Sequence, residues 1–285
     1  SGRLGISWSY SDNASVYATV SRSFVGLGAD LSRTGNVNNA FLDPTTAEAF
    51  EVGTKSMLFD NSLQLNAAVF VQQVEDLQTS ALLPGTINTV NLNAGDLDIF
   101  GAEFDLLWAA TDILRLSASV SYTDAEVENL LQPCWPEQNI ATGCSIDANG
   151  NPTLNPDDAV QTDVEGTDAT NTPELKYNLG ANLDVPLSSM PFDLYGSVNY
   201  VWQDDIHFSL NDDPLLTQDS YGILNFSLGL VDKEDRYDLS IFGKNVTDEE
   251  FVNDASESSG FIARRYVRVT RGAQAFYGIR LRYNF

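Results

Sequence analysis

Basic residues are scarce in this sequence. Its 285 residues include 15 Lys and Arg against 40 Asp and Glu, which gives a formal net charge of −25 at pH 7. Because nucleic-acid phosphates require a basic surface, this imbalance excludes binding to a nucleic-acid backbone. A long disordered chain is also excluded, since 43% of the residues are apolar and 11% are aromatic.

Catalytic groups are equally sparse. The sequence holds one histidine, His207, so any Ser-His-Asp arrangement would have to use it. There is no G-x-S-x-G elbow, and no glycine loop follows a strand into a helix. We therefore predict a protein that is not an enzyme and that carries no organic cofactor.

Long apolar runs are missing as well. No window holds about 18 apolar residues in a row, so no transmembrane helix is expected. The opening stretch, SGRLGISWSY, lacks the uninterrupted apolar core of a signal peptide. We expect either that a signal has been removed or that the chain begins partway through a longer protein.

Cys134 and Cys144 are the two cysteines, and they lie close together in a segment rich in Pro, Asn, Asp and Gly. In an oxidising compartment this spacing favours a disulfide within one loop. Closing a loop of about ten residues would stabilise the fold by roughly 2–3 kcal/mol. Two unpaired thiols are the alternative, and a two-cysteine metal site is weaker because no histidine is nearby.

Alternation with a period of two residues is abundant, whereas helical periodicity is almost absent. In LRLSASVSY, for example, Leu114, Leu116 and Val120 share one face while Arg115 and three serines occupy the other. This pattern predicts an all-β fold of about eleven strands. We expect the strands to start near Gly2, Ser15, Ala47, Leu63, Val90, Ile113, Pro173, Phe192, Asp219, Arg236 and Arg271.

The connections between these strands alternate in length. Short turns are expected at 11–14, 59–62, 109–112, 186–191 and 232–235, and long polar loops around 25–45, 80–90, 127–172, 209–217 and 246–270. Short turns at one end, long loops at the other and long strands with one apolar face are typical of a transmembrane antiparallel β-barrel in the outer membrane. A soluble sandwich has no reason to sort its connections by end.

Five stretches resemble the TonB-dependent receptor family, in order and spacing along nearly the whole chain. They are AFEVGTKSMLFDNSLQLNAAVFVQQVEDLQT (49–79), NLNAGDLDIFGAEFDLLWAATDILRLSASVSYTDAEVEN (91–129), NTPELKYNLGANLDVPL (171–187), LSIFGKNVTDEEF (239–251) and FYGIRLRYNF (276–285). The resemblance implies a barrel of about 22 strands, an N-terminal plug inside it and a short segment that contacts TonB. Residues 1–285 would then be the C-terminal part of the barrel, with the plug and the N-terminal strands absent from this chain.

The same resemblance implies a function. It suggests active uptake of a scarce nutrient with TonB-derived energy, most commonly a ferric siderophore, with cobalamin, haem and oligosaccharides as further possibilities. The expected location is the bacterial outer membrane, beside lipopolysaccharide, with the long loops outside the cell and the C-terminus in the periplasm. A passive porin-like channel or a structural barrel is the alternative, and a plug-like domain encoded upstream would distinguish the two.

The last residues resemble the C-terminal insertion signal of outer-membrane proteins. Gly278, Leu281, Tyr283 and the terminal Phe285 carry this resemblance. The three larger side chains share one face of an alternating strand with Ile279. We expect them to meet lipid and to serve assembly rather than ligand binding.

A basic cluster beside the last long loop supplies the candidate ligand-binding residues. They are Arg264, Arg265, Tyr266, Arg268 and Arg271. Arginine can hold a carboxylate through two hydrogen bonds, so this cluster suits an anionic ligand. Pairing with neighbouring carboxylates, or with lipopolysaccharide phosphates, is the alternative.

Two further expectations concern metal ions. Asp204, Asp205 and His207 could bind a metal, although a solvated rim at a strand end is the simpler interpretation. The loop 127–172 is acidic and has no Lys or Arg, so it could hold Ca²⁺. Its spacing does not match an EF-hand.

Overall fold

The computed structural model describes residues 1–29, 41–82, 89–93, 95–135, 137–138, 140–142, 144, 161–257 and 265–285. The described residues contain strands and two short 3₁₀ turns but no α-helix. No helical segment among them is long and apolar enough to cross a membrane. The strands are β1 (Gly2–Ser11), β2 (Ala14–Phe24), β3 (Gly28–Ala29), β4 (Phe41–Leu42), β5 (Thr46–Leu58), β6 (Leu63–Glu75), β7 (Gln78–Leu82), β8 (Thr89–Asn93), β9 (Asp96–Ala109), β10 (Leu114–Glu128), β11 (Leu131–Pro133), β12 (Gln161–Asp163), β13 (Thr167–Asp168), β14 (Leu175–Val185), β15 (Phe192–Gln203), β16 (Ile206–His207), β17 (Thr217–Gln218), β18 (Tyr221–Asp232), β19 (Tyr237–Lys244), β20 (Val252–Glu257), β21 (Arg265–Val269) and β22 (Phe276–Tyr283).

Eleven long strands form one continuous antiparallel sheet, in the order β1-β2-β5-β6-β9-β10-β14-β15-β18-β19-β22. The short strand β13 pairs with the end of β10. The prediction of an all-β fold with about eleven strands is confirmed. Among the described residues no strand pairs with the outer edge of β1 or of β22, so the sheet is not closed into a barrel within this chain.

Two of the expected strand starts are wrong. The strand expected near Val90 begins at Asp96, because Thr89–Asn93 pairs instead with Gln78–Leu82 in a separate ribbon. The strand expected near Arg271 begins at Phe276, because Arg271–Ala273 forms a 3₁₀ turn. Thr270 caps this turn, since its hydroxyl accepts a hydrogen bond from the Gly272 amide at 2.9 Å.

The two ends of the sheet carry different connections. The short turns lie at one end, which we call the turn end. The long connections lie at the other, the ribbon end, where the sequence predicted polar loops. Each of these connections instead contains a two-stranded ribbon, formed by β3–β4, β7–β8, β11–β12, β16–β17 and β20–β21. The ribbons satisfy backbone hydrogen-bonding groups that irregular loops would leave to water.

The two faces of the sheet also differ, because successive side chains of a strand point to opposite sides. On β22, Ile279 and Leu281 are 75% and 73% exposed and define the apolar face. Arg280 and Arg282 lie on the other side, the polar face. In β19, Leu239 and Ile241 stand opposite Leu281 and Ile279, so the division continues across the strand pair.

The apolar face ends abruptly near the ribbon end. Val20, Phe50, Val71 and Phe100 form one cross-strand row on β2, β5, β6 and β9. One step farther toward the ribbon end lies a polar row, which we call the boundary row, made of Arg22, Glu48, Gln73, Asp98 and Glu126. The change from aliphatic and aromatic side chains to charged ones therefore takes two residues.

The buried apolar core is small and lies beyond the ribbon end. Val127, Leu130 and Val164 form it, and Leu97 and Leu210 pack against it. The Val164 amide donates a hydrogen bond to the Leu130 carbonyl at 3.2 Å. This bond joins the beginning of the connection after β10 to a later part of the same connection. Because Leu210 follows β15 in the chain, this core joins two of the long connections.

Candidate ligand-binding site

The predicted basic cluster lies at the ribbon end, in the connection between β19 and β22. Arg265, Tyr266 and Arg268 belong to β21, and Arg271 opens the 3₁₀ turn that precedes β22. Arg264 lies outside the described residues. Strand β21 pairs with β20, where Glu257 stands opposite Arg265 and Asp254 stands opposite Arg268.

Arg265 is held by two carboxylates. Its Nε donates to Asp213 Oδ2 at 2.6 Å, and a terminal nitrogen donates to Glu137 Oε2 at 2.5 Å. The hydrogen bonds to Glu137 and Asp213 raise the pKa of the Arg265 guanidinium above its ordinary value. The Asp213 side chain is completely buried, so Arg265 neutralises a charge that would otherwise be costly to bury.

This arrangement, the Arg265 network, connects three parts of the chain. Asp213 lies between β16 and β17, and Glu137 lies in the segment between the two cysteines. Both carboxylates accept hydrogen bonds from the Arg265 guanidinium, so fewer of its N–H groups remain for a ligand. Arg265 therefore acts here as a tie between connections, as the carboxylate-pairing alternative anticipated.

Tyr266, Arg268 and Arg271 present their side chains to solvent. Tyr266 and Arg268 share one face of β21 and alternate with Arg265. The Arg268 side chain is 79% exposed, and it forms an ion pair with the half-exposed Asp254 at 3.2 Å. Arg271 is exposed and forms no ion pair with any other described residue. These three side chains are available for an anionic group.

Asn245 fixes the backbone beside Arg271, and the sequence analysis did not identify it. Its buried amide nitrogen donates to the carbonyls of Glu249 at 2.8 Å and Gly272 at 3.0 Å. Its side-chain oxygen accepts from the Glu249 amide at 2.9 Å. An Asn directly after an alternating strand, in KNVTDEE, is the one signal that could have suggested such a turn.

Cys134 and Cys144 are joined by a disulfide, with their Cα atoms 5.8 Å apart. Free cysteines are absent from the chain. The bridge encloses Glu137, so it restrains a partner of Arg265. It therefore supports the Arg265 network as well as its own loop.

Neither metal expectation gains support from the described residues. Among them no group of three His, Cys, Asp or Glu side chains could hold an ion. His207 Nδ1 lies 3.1 Å from Asp212 Oδ1, whereas Asp204 accepts a hydrogen bond from the Asp205 amide at 3.1 Å. Within the loop 127–172 proposed for Ca²⁺, residues 145–160 lie outside the described residues.

The residues of the C-terminal signal lie on the last strand and just beyond it. Leu281 stands opposite Leu239, and Tyr283 stands opposite Tyr237 with ring centroids 5.0 Å apart. Phe285 packs edge-on against Tyr283 at 4.9 Å. Gly278 lies on the polar face, opposite Phe242.

Comparison with known proteins places these features in a family. Residues 1–246 match the family model described as TonB dependent receptor-like, beta-barrel. A curated relative, the probable TonB-dependent siderophore receptor PiuA of Acinetobacter baumannii, is 36% identical over 137 residues, which are 46% of this chain and 18% of that protein.

Solved structures resemble the fold over almost the whole chain. The ferric yersiniabactin uptake receptor FyuA of Yersinia pestis matches 99% of this chain and 37% of its own, with a TM-score of 0.72 and 18% identity. The siderophore receptor PiuA of Acinetobacter baumannii matches 97% and 35%, with a TM-score of 0.66 and 23% identity. The chain therefore spans about a third of the receptors whose structures it resembles.

Proposed function

The chain belongs to the TonB-dependent receptor β-barrel family, and we propose that it forms part of an outer-membrane receptor that imports a ferric siderophore with TonB-derived energy. The family consists of outer-membrane transporters and receptors rather than enzymes. The proposed substrate rests on the 36% identity, over 137 residues, to a protein named as a siderophore receptor. The sheet's division into one apolar and one polar face supports a barrel wall between lipid and an aqueous interior.

The faces and ends of the sheet take their roles from this proposal. The apolar face meets lipid, and the polar face lines the lumen. The ribbon end faces the medium, with lipopolysaccharide around it, and the turn end and C-terminus face the periplasm. The remaining strands and a plug that contacts TonB belong to the part of the receptor outside this chain.

In this proposal, exposed side chains at the ribbon end bind the ligand. Ferric siderophores carry carboxylate, catecholate or hydroxamate oxygens, which accept hydrogen bonds from a guanidinium. Arg268 and Arg271 supply such donors, and Tyr266 supplies a ring beside them. Arg265 contributes indirectly, because its network holds the ribbon on which these residues lie.

Uptake measurements in a strain that lacks the gene test the proposal. The complete receptor gene should restore accumulation of ⁵⁵Fe from at least one ferric siderophore, and inactivation of TonB should abolish it. Accumulation that continues without TonB would instead identify a passive channel. Absence of uptake for every siderophore, with intact folded receptor, would identify a structural barrel or another substrate.

The role of the arginines needs a separate comparison. Arg268→Ala and Arg271→Ala should each weaken binding of an anionic ferric siderophore by about tenfold, because each removes a charge-assisted contact. Arg236→Ala is the matched control, since Arg236 lies at the turn end and pairs with Glu234 at 2.8 Å. Equal losses for all three variants would exclude a specific role for the ribbon arginines.

A further inference from the structure

The polar face of the sheet contains a region without ionisable side chains. It covers the polar-face positions of residues 117–121 on β10, 178–182 on β14, 197–201 on β15 and 223–227 on β18. Cross-strand register places these positions side by side, as in the row Ser117, Gly180, Asn199 and Asn225. Serine and asparagine predominate among them, and we call this region the neutral panel.

Charged side chains flank the neutral panel on both sides. On one side β5 and β9 carry Lys55 and Glu103, and on the other side β22 carries Arg280. None of these three has an ion-pair partner among the described residues. Arg280 lies over the ring of Phe242 at 5.5 Å, and Lys55 lies over the ring of Tyr17 at 5.6 Å. Each flank therefore presents charged groups to the lumen of the barrel.

The neutral panel itself offers weak and exchangeable contacts. The Ser197 and Ser227 hydroxyls are 2.7 Å apart, and the Asn199 amide donates to the Asn178 side-chain oxygen. A neutral hydrogen bond contributes only about 0.5–1.5 kcal/mol, so a passing solute can replace such contacts without being trapped. At the panel's margin Ser117 and Ser119 help to line a cavity of about 220 Å³ together with Asp105 of β9, whose carboxylate accepts a hydrogen bond from Ser119 at 2.8 Å and marks the edge of the panel.

We propose that the neutral panel is the part of the barrel wall along which the transported solute passes. The inference rests on the proposed transport function, and it identifies the part of the lumen wall that the solute contacts. Conduction requires contacts that are favourable enough for entry and weak enough for exit, and a wall of hydroxyl and amide groups meets both conditions.

The solute that suits this wall is polar and rich in oxygen, as an anionic ferric siderophore is. Hydroxyl and amide groups can donate to its oxygens or accept from its hydroxyls, and they repel neither sign of charge. A strongly ionic wall would hold one sign and exclude the other. The panel is bounded toward the turn end by the Arg115–Asp184 ion pair at 3.0 Å, which keeps those two charges occupied with each other.

Two isosteric substitutions in the complete receptor test this assignment. Asn199→Asp places one charge in the neutral panel and keeps a side-chain oxygen that can accept a hydrogen bond. Gln72→Glu places the same charge on the polar face of β6, a strand that lies between the strands of Lys55 and Glu103 and outside the neutral panel. We expect Asn199→Asp to lower the TonB-dependent ⁵⁵Fe uptake rate by about tenfold, since a fixed negative charge in the panel repels the anionic groups of the siderophore. Gln72→Glu should leave the rate within about twofold, and surface binding should be unchanged in both.

Cysteine labelling gives a second and independent readout. Both cysteines of this chain are bridged, so an introduced thiol is the single reactive one within residues 1–285, and unmodified receptor treated with the reagent is the control for the rest. Ser119→Cys treated with a bulky neutral thiol reagent should stop uptake without loss of surface binding. Ala68→Cys on the charged flank is the control, and it should either resist labelling or retain uptake.

The outcomes separate the two proposals. Equal uptake by Asn199→Asp, Gln72→Glu and unmodified receptor would overturn the neutral panel, as would equal inhibition at Ser119→Cys and Ala68→Cys. Neither result would contradict the proposed transport function. Lack of TonB-dependent uptake by the unmodified receptor would overturn the proposed function first, and the neutral panel with it.

Discussion

The ring of Phe242 lies against the backbone of Gly278 on the neighbouring strand. A Cβ atom at position 278 would be 2.5 Å from Cζ of this ring, closer than any real contact allows. The same arrangement recurs on the polar face between Tyr17 and Gly53. Gly278, which the C-terminal pattern singled out, therefore has a packing reason for being glycine.

Gly278→Ala should destabilise the receptor, because the Phe242 ring must leave its position. Overpacking of this kind typically costs about 1–3 kcal/mol. Urea unfolding of purified receptor, followed by heat-modifiable gel mobility, measures the loss. Adding Phe242→Leu should restore part of it, since the smaller side chain makes room for the new methyl group. Failure of this rescue would contradict the packing explanation.

Removal of Phe285 should lower the amount of folded receptor in the membrane and leave the affinity of inserted molecules unchanged. Phe285 is fully exposed and contacts Tyr283, far along β22 from the ribbon end. Folded yield is measured by heat-modifiable mobility, and ligand binding is normalised to that yield. Normal yield with lost binding would reverse the assignment and make the C-terminus part of the ligand site.

Arg265→Ala should loosen the connections at the ribbon end without unfolding the sheet. It leaves the buried Asp213 carboxylate without its partner, which is strongly unfavourable. Hydrogen exchange around Asp213 and Glu137 should become at least about tenfold faster. Arg268→Ala is the control, because exposed pairs such as Arg268–Asp254 contribute only about 0–1 kcal/mol. Similar exchange in both variants would show that the Arg265 network is dispensable.

The boundary row predicts where the membrane ends on β6. Val69→Lys should destabilise the receptor by about 2–4 kcal/mol, because it places a charge inside the apolar belt. Gln73→Lys lies on the same face of the same strand, in the boundary row, and should cost about 0–1 kcal/mol. Denaturant unfolding in detergent or lipid measures both. Equal costs would place the membrane edge beyond residue 73.

The strands were predictable from sequence because each separates two different media. Ile279 and Leu281 alternate with Arg280 and Arg282, and such a pattern identifies a strand without knowledge of its neighbours. The ribbons were not predictable in this way. Both faces of β21 meet water, so Tyr266, Val267 and Arg268 show no contrast between faces.

The contacts of the candidate site were also beyond sequence analysis. Arg265 and Asp213 are 52 positions apart, and Arg265 and Glu137 are 128 positions apart. The acidic composition indicated that Arg265 would pair with carboxylates, but it could not indicate which of the 40 Asp and Glu residues would be the partners. Asn245 was equally hidden, because its role depends on Gly272, which is 27 positions away in the sequence.

The Arg265 network has a consequence for immune recognition. A surface assembled from the neighbourhoods of Glu137, Asp213 and Arg265 has no counterpart in any short peptide, since the chain brings the three together only on folding. Antibodies raised against synthetic copies of single loops would meet a different shape on the intact protein. An immunogen intended to direct antibodies to this region must therefore be folded, with Cys134 and Cys144 oxidised.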